Sequence, residues 1–185
     1  MDRQEALITF KRQIAGLAPA AIDDAQWPTI RVRVRTFVGV IDIPDVLISS
    51  VRSVVLRRGQ VVLVRERTGE SHVTPGGRRE AGESIEATVR REVLEECGWH
   101  VGRLVPIGCF YIVPLDPAPP ADFKYFWGEM IHLIHASDGV RYGPRARDRT
   151  QIEEGSRLQS VKRAMAEIPA GQRAILNAAR SALRI

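Results

Sequence analysis

Strands interleaved with one sharply bounded helix predict an α/β fold for this chain of 185 residues. Three observations carry the prediction. β-Branched runs at 46–57 and 61–66 flank Arg58-Gly59-Gln60, the pattern of a hairpin. A helix follows between Ser84, whose hydroxyl can accept from first-turn N–H groups, and Gly98, placed where a left-handed closing residue is wanted. Beyond it, strand character returns at 104–113 and again at 123–134.

Taken in order, residues 2–17 place Leu7, Ile8, Phe10, Ile14 and Leu17 at spacings of an amphipathic helix. Residues 16–28, rich in Ala and Asp, read as a linker. Strict alternation over Arg31-Val32-Arg33-Val34-Arg35 predicts a strand with one charged face, read as an edge strand in preference to a dimer contact or a basic rim near substrate. Arg65 and Arg67 fall on one face of the second hairpin strand, where they are candidates for a substrate phosphate and equally ordinary solvent-facing charges. Pro114, Pro117, Pro119 and Pro120 interrupt regular structure, and 137–152 is a glycine-bearing, charged loop. The stretch 158–183 reads as helix broken around Pro169-Ala170-Gly171. These boundaries predict a helix-and-strand extension over 1–45 packed on a domain over 46–185.

The stretch from Gly76 to Trp99 violates local stability rules in a way that points to chemistry. Glu92, Glu95 and Glu96 crowd the end of the helix, within an arc of roughly 100°. Like-charged neighbours cost roughly 0.2–0.5 kcal/mol each. Anions at a helix C-terminus cost about 0.3–1 kcal/mol more at a surface site. A bound cation reverses both signs. Val89, Val93 and Cys97 form the stripe that docks the helix, so the acidic face borders the protein body. Ahead of the helix, Pro75-Gly76-Gly77 makes a turn whose backbone can approach a ligand closely.

Gly77, Glu83, Arg91-Glu92, Val93, Glu95-Glu96, Gly98 and the apolar Trp99 stand at the spacings of the Nudix signature, and the chain resembles the Nudix hydrolases. Trp99 stands where an aliphatic residue is commoner, and Thr74 where the family often has Leu. The resemblance implies an α/β/α sandwich with a mixed sheet and a catalytic loop-helix-loop. It implies hydrolysis of a diphosphate linkage by water with Mg²⁺, or Mn²⁺ in its place, since such chemistry asks for charge neutralisation and positioning. Glu92, Glu95 and Glu96 resemble the metal-binding carboxylates, with the Gly76 carbonyl a further ligand. Arg91 reads as an orienting residue for Glu95, and Glu83 as support or a ligand to an additional metal. Glu92 is one candidate for the general base; Asp138, Asp148, Glu153 and Glu154 are others.

Composition narrows the setting. A hydrophobic content of 44% and a charged content of 26% are those of a soluble globular protein. No run approaches a membrane span and the N-terminus has no signal-like segment, so a cytoplasmic protein is expected. Cys97 and Cys109 are too few for a disulfide framework and are expected as buried thiols. The net charge of +5 comes mostly from arginine, Lys occurring only at 11, 124 and 162, and suits a nucleotide-type substrate. Scattered arginines argue against a dedicated nucleic-acid surface without excluding one. Phe110, Tyr111, Tyr125, Phe126 and Trp127 are candidates to stack a base, although in strands such residues are more often core. The expected substrate is a nucleoside diphosphate linked to another group. The alternatives are a pyrophosphohydrolase of RNA 5′ ends and a non-catalytic nucleotide sensor. A homodimer is implied by similarity alone, with the first 45 residues the natural contact.

Overall fold

The computed structural model describes residues 1–185 apart from 28, 122, 124–125, 144–152 and 185. Helix α1 (Arg3–Ile14) starts at Asp2, whose carboxylate accepts the Glu5 N–H at 2.9 Å while the Glu5 side chain accepts from the Asp2 N–H. It buries Ala6, Phe10 and Ile14, whereas Ile8 and Leu17 are exposed.

The predicted linker is in part a strand. β1 (Ala21–Gln26) pairs antiparallel with β2 (Arg31–Val38). Its sequence has poor strand propensity, and tertiary partners override it. Asp24 takes two bonds from Arg33, at 2.7 and 2.8 Å, and Asp23 accepts the Gly171 N–H at 3.1 Å. β1 therefore occupies the sheet edge that was expected at 31–35, and β2 lies inside. Its charged face is used within the chain: Arg31 pairs with Asp116 and Arg33 with Asp24.

After a 3₁₀ turn (Asp45–Leu47), β3 (Ile48–Arg57) and β4 (Gln60–Glu66) form the predicted hairpin. Arg57 faces Gln60, leaving Arg58 and Gly59 as a two-residue turn with φ of 46° and 75°, the positive values this tight connection needs. The strands pair only at 56–57 with 60–61 and then part. β5 (Ser71–His72) joins β4 and β6 (Gly76–Gly77) joins β3, so the loop before the acidic helix fills the fork.

Helix α2 (Ile85–Cys97) is capped by Ser84, which accepts the Ala87 N–H at 3.1 Å, and by Gly98 at φ 72°. From that cap the chain passes directly into β7 (Trp99–Pro114), longer than the expected strand, and returns as β8 (Met130–Tyr142). Residues 123–129 are not strand where described. Phe123 and Trp127 pack edge to face at 5.5 Å, and Phe126 lies 4.0 Å beneath the Arg3 guanidinium. Conversely 137–142, expected as loop, continue β8, because Tyr142 pairs with Trp99 in the sheet and their rings lie 5.3 Å apart. β9 (Glu153–Ser160) pairs with β4, so 158–160 are strand and helix α3 (Val161–Glu167) begins only after Ser160. Pro169 separates it from α4 (Ala170–Leu183).

Among the described residues, nine strands form one mixed sheet in the order β1-β2-β7-β8-β3-β4-β5, with β6 on β3 and β9 on β4. The parallel β3–β8 pair is central. Alternation along β3 sets the two faces. Val51 and Val55 pack under α2 with Val89, Val93 and Cys97, while Val54 and Leu56 face α4 with Ile175, Leu176 and Ala179. Helix α1 covers the α2 face further along, over Cys109, Tyr111 and Ile131. Both cysteines are buried and form no disulfide, and burial pushes the Cys109 thiol up to about 12.

Phe10 is fully buried between α1 and the sheet. Phe10→Ala should cost about 3–5 kcal/mol of unfolding free energy. Urea denaturation reads this; a loss below about 1 kcal/mol would show that α1 is not anchored there.

Candidate active site

Helix periodicity places Glu92 and Glu96 on consecutive turns of α2, and both are buried beside the fork. Glu96 Oε2 accepts the Gly76 N–H at 2.9 Å. Gly77 lies against Glu92, where an added Cβ would stand 2.5 Å from Oε1. Gly76, at φ 147°, leaves no room for a Cβ against the Val51 carbonyl and the Arg52 Cα. The two glycines let backbone and carboxylates share one small volume.

Arg91 gathers the remaining acids. Its Nε and Nη2 each donate to Glu83 at 2.9 Å, and its Nη1 donates to Glu92 at 2.8 Å and Glu95 at 3.1 Å. Thr88 Oγ1 also donates to Glu83, at 2.9 Å. The Arg91 bonds hold the Glu83 carboxyl down at about 2, and the same contacts raise Arg91 itself. Glu92 moves the other way. Burial is the largest cause and the neighbouring Glu95 charge adds to it, only partly offset by Arg91 and Arg52.

Arg52 is a site residue that sequence reasoning missed. It projects from β3 on the α4 face, with its Cα and Cγ against Gly76. Its Nη1 donates to the Thr74 carbonyl at 3.1 Å and its Nε to His132 Nδ1 at 3.2 Å. Since Nδ1 accepts, His132 is neutral, and burial together with the Arg52 charge lowers its pKa well below the ordinary histidine range. His72 is held down to about 3 for the same reasons. The available signal was a single charge within the otherwise apolar and small-residue strand Val51-Arg52-Ser53-Val54.

Other expected residues lie elsewhere. Arg65 ends β4, exposed, near Gly69; Arg67 lies past the strand, because the chain turns where the Gly69 N–H donates to the Glu66 carbonyl, so the two do not share a strand face. The Asp138 carboxylate accepts the Arg103 N–H at 2.6 Å on the β7–β8 ribbon. Asp148 lies outside the described residues, as do the side chains of Glu153 and Glu154, whose backbone begins β9. Tyr125 is likewise outside them, while Phe110 and Tyr111 are core.

Among the described residues no three His, Cys, Asp or Glu side chains stand together in metal-binding array; their oxygens are turned to Arg91 and to the Gly76 N–H. The donor set nevertheless fits a hard divalent cation. It consists of carboxylate and backbone oxygen, it has glycine clearance beside Glu92, and a cation would relieve the burial that now favours the protonated form of that acid.

The chain belongs to the NUDIX domain family, whose model matches residues 47–177. It is a Nudix hydrolase, a class of enzyme that acts on pyrophosphate bonds. No curated protein matches the sequence. The fold is similar to that of a pyrophosphohydrolase of Bacillus subtilis, BsRppH, at 17% identity and TM-score 0.56, covering 83% of this chain and 90% of that one. A NUDIX hydrolase from Nitrosomonas europaea is similar at 20% identity and TM-score 0.54, with 69% and 85% covered. A MutT NUDIX hydrolase from Burkholderia pseudomallei gives 17% identity and TM-score 0.50, with 69% and 94% covered.

Glu83 carries a pH signature. Its folded pKa of about 2 lies below the ordinary 4.5, so the stabilisation is complete above about pH 4.5 and is lost as pH falls toward 2. Thermal unfolding between about pH 5 and 3 should show a steeper loss of Tm for the native chain than for Glu83→Gln. Parallel curves would remove Glu83 from the network.

Proposed function

We propose that the chain is a Mg²⁺- or Mn²⁺-dependent pyrophosphohydrolase cleaving the diphosphate linkage of a nucleoside diphosphate joined to another group. The observation that carries the reading is the burial of Glu92 and Glu96 against the Gly76–Gly77 loop, with Arg91 tying Glu92 to Glu95. Glu92, Glu95, Glu96 and the Gly76 carbonyl would hold the cation, which when bound neutralises charge on the diphosphate oxygens and makes a water nucleophilic.

The chain's own residues supply the rest. Arg91 orients two carboxylates while anchored by Glu83, and it remains protonated throughout. Arg52, fixed between Thr74 and His132, offers a guanidinium beside the loop for a substrate phosphate. Glu92, buried beside the loop, is the carboxylate we assign to take a proton from the attacking water. The fork provides positioning: Ser53 N–H donates to the Pro75 carbonyl at 2.9 Å and Ser50 Oγ to the Gly77 carbonyl at 3.0 Å, so the loop is held from β3 as well as from α2.

The test is phosphate release, with a coupled phosphatase, across nucleoside triphosphates, ADP-ribose, nucleotide sugars, dinucleoside polyphosphates and NADH. Turnover of one class that disappears with EDTA is expected. Glu96→Gln should keep the fold and lower kcat by several orders of magnitude. Near-native turnover in that variant would sink the metal assignment, and processing of triphosphorylated RNA ends alone would replace the small-molecule substrate.

A further inference from the structure

We propose that Trp27, stacked over His132, is the platform for the base of the nucleotide whose phosphates meet Arg52 and the Gly76–Gly77 loop. The inference rests on the diphosphate-cleaving reading above and adds a specificity-determining residue to it. Trp27 lies outside residues 47–177, the part of the chain matched by the family.

A continuous line of contacts joins the carboxylates to this ring. Glu96 holds the Gly76 N–H, Gly76 rests on the Arg52 backbone and Cγ, Arg52 Nε donates to His132 Nδ1, and the His132 ring lies parallel to Trp27, with centroids 6.0 Å apart and planes 11° apart. A ligand with phosphate at one end and a flat ring at the other matches that order. The indole is held in place. The Trp27 backbone N–H and C=O close the β1–β2 turn onto Ile30, Gln26 Nε2 donates to the Trp27 backbone carbonyl at 2.7 Å, and the ring itself packs on His132. From there the side chain crosses β7 to reach β8, yet it stays only partly buried at the rim of the α4-side core. Because the ring is only partly buried, part of its surface remains to meet a base. His132 beneath it is buried and uncharged, so the platform repels neither a base nor the Arg52 guanidinium.

The experiment compares two non-hydrolysable ligands by calorimetry with Mg²⁺ present. One is the α,β-methylene analogue of ADP; the other is methylenediphosphonate, the same phosphorus frame without a nucleoside. The native chain should bind the nucleotide at least tenfold tighter than methylenediphosphonate. Trp27→Phe keeps a ring and should retain the preference within about threefold. Trp27→Leu keeps apolar packing without a π-face; it should bind the two ligands within about twofold of each other, with its affinity for methylenediphosphonate unchanged. That unchanged affinity reports an intact fold, which a merely structural role for Trp27 would not combine with loss of base preference. Retained preference in Trp27→Leu, or none in the native chain, overturns the platform. If the native chain still hydrolyses the nucleotide panel, the failure belongs to Trp27 alone; if it hydrolyses no member, the function reading falls and the platform with it.

Discussion

The site depends on one cation set among acids. Glu92, Glu95 and Glu96 crowd the C-terminal half of α2, where the helix dipole and mutual repulsion both oppose negative charge, and Glu83 joins them from the loop before the helix. Arg91 resolves most of that conflict, because a planar guanidinium with five donors can engage Glu83 through two bonds and still reach Glu92 and Glu95. A lysine could not hold that geometry. The arrangement also explains why the acids respond differently: Glu83, with two bonds from Arg91, is held ionised, while Glu92, buried and sharing its donor, is pushed toward protonation.

This charge cluster has to meet backbone, and the sheet makes room for it. Because β3 and β4 separate just beyond their hairpin, the segment carrying Pro75, Gly76 and Gly77 enters between them as a short wedge. Side chains at 76 or 77 would collide with Arg52 or Glu92, so glycine is required by proximity at both positions and by φ at Gly76 as well. Hydrogen bonds from Ser50, Ser53 and Arg52, and one from the Gly76 N–H to Glu96, then fix the loop from two directions. The fork, more than the helix alone, turns a repulsive acidic face into a defined site.

What could be read in the sequence follows the range of the interactions involved. Helix α2 was legible to its caps because Ser84 and Gly98 act locally, and the β3–β4 turn because Arg58 and Gly59 must take positive φ. β1 was not legible, since its strand state is supplied by Arg33 and Gly171, distant in sequence or in another element. The extension of β8 through 142 escaped for the same reason: Tyr142 is strand because Trp99 is its neighbour. In the site, the glutamates stood at fixed spacings along one helix, whereas Arg52 acquires its position only when β3 meets the loop, and Trp27 only when the β1–β2 turn swings over β8.

Local and global charge have opposite signs, and the difference bears on chemistry. The chain carries +5 overall, which draws polyanions toward it. At the fork, Glu83, Glu92 and Glu95 engage Arg91, Glu96 lies beside them, and Arg52 stands against the loop, while Arg79 is spent on Asp45 and His72 and His132 are held neutral by burial and by Arg52. Among the described residues, these four carboxylates outnumber Arg91 and Arg52, an excess that a diphosphate would worsen. A substrate attracted by the surface would therefore be refused by the site, unless a divalent cation arrived with it or before it. Protonation of Glu92 removes one charge of that excess and is the direction in which its pKa is displaced. A divalent cation would remove two, so the proposed reaction would couple metal and substrate at this fork.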